Sequence, residues 1–168
     1  MASPGFYEPP SRTRLWVIPI GSTLVGSALT ASPIVSQIHL LPPFGLMMAL
    51  AWRLRRHEMW PAWIALPLGL ADDLLSGAAL GSAMTLWTIA FLAIDAIDSQ
   101  PTWRDYWLDW RIAAGILLVC GVGQWMIAWF TGGGGLFWPV FPPIVFGILL
   151  FPAAARFCAL LDRWRLSR

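Results

Sequence analysis

Two adjacent carboxylates, Asp72 and Asp73, sit inside an otherwise apolar run, Gly69-Leu70-Ala71-Asp72-Asp73-Leu74-Leu75-Ser76-Gly77-Ala78-Ala79-Leu80-Gly81. A carboxylate in hydrocarbon costs roughly 3 kcal/mol on insertion scales, so it persists only with a partner or in a water-lined site. Gly69, Asp73, Gly77 and Gly81 lie four residues apart. On an unbroken helix they would form one narrow stripe. Glycines on such a stripe let another backbone approach closely in a membrane. The run therefore predicts one acidic group set in a seam of small residues, facing protein rather than lipid.

Composition places that run in a membrane protein. Of 168 residues 58% are hydrophobic and 12% are charged, with a net charge of +2. A soluble domain carries about 25% charged residues. A single domain is expected, and the net charge is too small to argue for nucleic acid. All 11 basic residues are Arg. Cys120 and Cys158 lie in apolar runs and read as small hydrophobes, not a disulfide or metal pair. His39 and His57 stand alone, so neither a metal site nor a cofactor is expected.

The chain divides into a disordered tail over residues 1–14, one transmembrane domain over 15–161 and a short tail over 162–168. Residues 15–31 form the first apolar run, read as a retained span rather than a cleaved signal because the rest of the chain is itself apolar. Pro42-Pro43 breaks the second run, leaving a short helix over about 43–52. The third runs from Trp60 to about Ser76, with Pro67 expected to kink it. The fourth covers about 81–97, after a Gly-containing turn, and Asp95 and Asp98 read as solvated boundary residues. The fifth covers about 111–131, the glycines 132–135 turn, and the sixth covers about 139–161. Before the fifth span, Trp103, Trp107 and Trp110 recur at i, i+4 and i+7, predicting a separate helix lying at the membrane interface. Trp87 and Trp125 fall away from span ends and are expected to pack within the bundle. With six spans, Arg12, Arg14, Arg53, Arg55, Arg56, Arg104, Arg163, Arg165 and Arg168 share one side. The positive-inside rule then puts both termini in the cytoplasm. The chain reads as an all-α membrane protein with six transmembrane helices.

The acidic pair is a poor metal site, since adjacent residues on a helix point about 100° apart. No other acid lies at that depth, so an enzyme is not expected. Two readings of Asp73 stay open. It holds a ligand or partner from within a pocket, or it caps backbone groups freed at a helix end. Asp72 is expected to face the turn or water. The stripe of Trp103, Trp107 and Trp110 reads as an interfacial anchor first and a docking face second. Arg53, Arg55 and Arg56 read as a topology signal first and an anionic-lipid contact second.

The order of these elements resembles the MreD family, the small integral-membrane component of the bacterial rod-shape machinery. The residues that carry the resemblance are Trp52-Arg53-Leu54-Arg55-Arg56 closing a short second span, then Gly69-Leu70, Asp73, Gly77, Leu80 and Gly81. Asp72 is an extra acid beside the family's Asp, and the tryptophans of 103–110 have no counterpart in the pattern. The resemblance implies a compact bundle similar in fold to the substrate-binding subunits of energy-coupling-factor vitamin transporters. It also implies a multi-pass, non-enzymatic protein of the bacterial inner membrane. Its implied partners are the bitopic protein MreC and, directly or through it, a RodA-type polymerase, a class B penicillin-binding protein and the MreB filament. Gly69, Asp73, Gly77, Leu80 and Gly81 would then form the bundle or partner seam, with Asp72 and the tryptophans as accessories. The rival expectation is a vitamin-type binding subunit of a transporter, for which the same bundle would hold a small molecule.

Overall fold

A computed structural model describes residues 12–31, 41–56, 60–98, 106–132 and 135–166. The described residues form six α-helices and no strand. They are α1 (Arg12–Ala31), α2 (Phe44–Arg55), α3 (Ala65–Ser76), α4 (Ser82–Asp98), α5 (Tyr106–Phe130) and α6 (Phe141–Leu166). Short 3-10 turns at Ala62–Ile64 and Trp138–Val140 lead into α3 and α6. The stretches Tyr106–Phe130 and Trp138–Trp164 are long and apolar enough to cross a membrane. Residues 1–11 of the expected tail, and Trp103, lie outside the described residues.

A short helix, α2, is the centre of the molecule. Every residue of α2 from position 45 to 54 is buried. Its sequence, Phe-Gly-Leu-Met-Met-Ala-Leu-Ala-Trp-Arg-Leu-Arg, is apolar on all sides up to Trp52, as suits an enclosed helix. α1 packs on α2 and α3, α3 on α4, α4 on α5, α5 on α6, and α6 returns to α2. Close packing and hydrogen bonds both hold these helices together. The α1–α2 seam shows both. A Cβ at Gly26 would lie 3.0 Å from the Phe44 carbonyl carbon, so any larger residue would force the two backbones apart by a few tenths of an ångström. The Trp52 Nε1–H donates to Ser22 Oγ at 2.9 Å, and the Phe44 N–H donates to Thr30 Oγ1 at 3.2 Å.

Several elements depart from the sequence reading. Pro67 falls in the first turn of α3, where backbone N–H groups have no intrahelical acceptor, so nothing is lost and no kink is required. The segment before the fifth span is not a separate interfacial helix. Residues 106–110 are the first turns of a continuous 25-residue α5, since no breaker separates Trp107 from Arg111. α6 likewise runs on through the expected tail as far as Leu166. Trp87 is buried in the bundle, but Trp125 is not. Its indole N–H donates to the Gly135 carbonyl at 3.2 Å and its ring meets Phe137 edge-on, so it holds the loop between α5 and α6.

Candidate functional site

α3 ends where Gly77 adopts a left-handed backbone, φ 67°. Gly81 takes φ 94°, and the chain reverses between the two. L-residues with a Cβ disfavour that region, which is why both turn positions are glycine. The reversal folds the start of α4 back onto the last turns of α3. Gly69 makes the contact possible: a Cβ there would lie 2.6 Å from Met84 Cα and 2.7 Å from its nitrogen.

This approach sets Asp73 against the N-terminus of α4. The side chain is 1% exposed. Oδ1 accepts from the Ser82 hydroxyl at 2.8 Å and the Ala83 N–H at 2.8 Å. Oδ2 accepts from the Gly81 N–H at 2.9 Å and the Met84 N–H at 3.3 Å. The first turn of any helix leaves N–H groups unpaired and carries partial positive charge. Here an acid on the preceding helix, eight to eleven residues away, satisfies three of them. A carboxylate has about four acceptor positions, and all are used. Asp73 is thus the rivet between α3 and α4.

The remaining seam positions do different work. Gly77 and Gly81 lie beyond the end of α3 and form the turn rather than the helical stripe. Leu80 is 72% exposed on the same loop. Asp72 points away from Asp73, as the 100° step requires. It reaches the α1–α2 seam, where a Cβ on Gly45 would meet both its Oδ1 and the buried Ser27 hydroxyl. The doubled acid therefore addresses two interfaces, α3–α4 and α1–α2.

The opposite end of the bundle holds residues that the sequence left as boundary charges. Arg53 is buried, its guanidinium paired with the Asp95 carboxylate and donating to the Trp60 carbonyl. The Phe91 ring lies 5.7 Å beneath it. Arg56 grips Asp162 through Nε at 3.2 Å and Nη2 at 3.0 Å. Ion pairs thus join the C-terminal ends of α2, α4 and α6. Spacing hinted at this only through the arginines, which point in three directions around α2; nothing marked Asp95 as their partner.

Trp110 has an equally local reason. Pro152 lacks an N–H, so within α6 the Ile148 carbonyl four residues earlier has no backbone donor. The Trp110 indole N–H donates to that carbonyl at 3.0 Å. In a membrane such a gap must be filled by protein. Trp107, by contrast, is 66% exposed and stacks edge-on against Trp110.

Among the described residues, no three of His, Cys, Asp and Glu gather as metal ligands would. No protein-family model, curated protein or solved structure matches the chain.

Proposed function

We propose that this chain is a multi-pass protein of the bacterial inner membrane that works as an MreD-type scaffold. In this reading it crosses six times, keeps both termini in the cytoplasm and catalyses no reaction. It binds an MreC-like bitopic protein and, directly or through it, the RodA-type polymerase, class B penicillin-binding protein and MreB filament that build the side wall.

One observation carries the proposal. Apart from Leu70 and Leu80, which are exposed, the residues bearing the resemblance in the third and fourth spans act as one device. Gly69 opens the approach, Asp73 closes it, and Gly77 and Gly81 turn the chain between them. The ion-paired ends of α2, α4 and α6 support the alternating arrangement that six spans need. The cluster of Arg53, Arg55 and Arg56 at that end supports its cytoplasmic placement.

The experiment is depletion and replacement in a rod-shaped host whose own copy is this protein. Depletion is expected to round the cells, and the wild-type chain to restore rods. The Asp73→Asn variant is expected to restore them poorly and to co-purify with less of the bitopic partner. Normal shape on depletion, or normal shape and partner recovery with Asp73→Asn, would refute the proposal.

A further inference from the structure

A cleft of about 150 Å³ opens between α2, α5 and α6, at the same end of the bundle as the ion pairs. Its inner wall is apolar, formed by Phe151, Ala155 and Ala159 among others. Its polar lining includes Arg55, Arg156 and Tyr106. The two alanines matter, since larger residues on that face of α6 would fill the space.

The charges in the cleft do not balance. Arg156 makes no ion pair among the described residues. Arg55 Nε lies 3.8 Å from Asp162 Oδ2, an oxygen whose shorter bonds go to Arg56. Asp109 also lines the cleft and is already engaged in an interaction of its own. The Trp110 indole N–H is taken by Ile148. Two guanidinium groups and one carboxylate, that of Asp109, therefore border a small space with an apolar wall, a surplus of one positive charge.

Depth adds to this. Arg156 lies six residues before Asp162 on α6, about 9 Å along the helix axis from the ion-paired end, and is exposed. In a protein that crosses the membrane, this is the boundary between headgroups and acyl chains. An exposed arginine there reaches toward the headgroup phosphates, and its planar fork matches one. The volume equals that of about five water molecules. It accommodates a phosphate ester but not a whole lipid, so the acyl chains would leave toward the exposed face of α6.

We propose that this cleft binds one anionic phospholipid, with its phosphate between Arg156 and Arg55 and its glycerol end against Ala155 and Ala159. The inference rests on the chain crossing the membrane and not on the partners proposed above. The test uses the full chain in detergent and native mass spectrometry, titrating phosphatidylglycerol against phosphatidylcholine. The wild-type chain is expected to retain one phosphatidylglycerol in preference to phosphatidylcholine. Arg156→Gln is expected to weaken that binding about fivefold, the effect of one basic residue near an anionic surface. Arg163→Gln, outside the cleft, is expected to change nothing. Ala159→Leu keeps both arginines, fills the cleft and is expected to abolish the preference, which covers the case of an unfolded Arg156→Gln. Equal retention of phosphatidylglycerol by the wild-type chain and a folded cleft variant would overturn the proposal. Displacement of the lipid by millimolar inorganic phosphate would overturn the lipid assignment in favour of a soluble anion. Release of the chain from membranes by alkali would refute the membrane reading itself, whereas retention with no lipid preference would refute only the cleft.

Discussion

Replacing Asp73 with Ala removes the acceptor for three backbone N–H groups and one hydroxyl in a site that is 1% exposed. A hydrogen bond to a charged acceptor contributes about 1.5–3 kcal/mol, and a buried donor left unpaired costs about 1–3 kcal/mol. These are two views of one loss and are not added. The Met84 bond is long at 3.3 Å, and the N–H of half-buried Gly81 can turn to water. Two strong bonds remain, those of Ser82 and Ala83. They give a cost of roughly 3–6 kcal/mol, larger than the roughly 1 kcal/mol of an ordinary N-cap. At about 2–4 °C per kcal/mol the melting temperature falls by roughly 10–20 °C. Asn keeps one carbonyl oxygen but turns the other acceptor into a donor facing N–H groups, so about half the loss is expected. The chain carries its own reporter: Cys120 and Cys158 are both free and buried. A thiol-reactive dye followed on heating therefore reads exposure of the interior of α5 and α6. Leu74→Ala, 66% exposed, is the control and is expected to melt like the wild type. A melting temperature for Asp73→Ala within 2 °C of the wild type would show that the α4 N-terminus does not depend on Asp73.

Three further outcomes follow from the same geometry, each read by the same melt. Gly69→Ala places a Cβ 2.6 Å from Met84 Cα and is expected to cost about 1–3 kcal/mol; combined with Asp73→Ala the loss should fall short of the sum, because both act on one contact. Additive losses would count against a shared contact. Asp95→Ala takes the carboxylate away from the buried Arg53 charge; since Asp95 is 45% exposed, the expected loss is about 2 kcal/mol, largely recovered by adding Arg53→Met. Trp110→Phe leaves the Ile148 carbonyl without its donor and is expected to cost about 1–2 kcal/mol. Pro152→Ala restores the backbone N–H, so Trp110→Phe should cost less in that background; an equal cost in both would break the link between the proline and the tryptophan.

Apolar runs and their punctuation made the helices legible. Prolines 42 and 43 placed the start of α2 to within a residue or two, and the glycines after Ser76 placed the end of α3. The importance of Asp73 was also legible, because an acid in hydrocarbon demands a partner. Which partner was not, since the donors lie on another helix and a turn had to bring them back. The central place of α2 was hidden for a related reason. An apolar run of nine residues, Phe44 to Trp52, looks the same whether it faces lipid or protein. Arg53 and Asp95 are far apart in sequence, and each alone resembles a boundary charge. The tryptophan stripe suggested a separate helix because its period of three to four looks the same at the start of a longer one; the bond that Trp110 makes depends on Pro152, more than forty residues later.

In the proposed function this bundle serves a wall-building assembly through a bitopic partner. Crosslinking the tagged full-length chain in native membranes, followed by pull-down and mass spectrometry, tests it most directly. Recovery of an MreC-like bitopic protein with a RodA-type polymerase and a class B penicillin-binding protein is the predicted result. Recovery of ATPase transporter subunits in their place would contradict it and assign the bundle to small-molecule uptake.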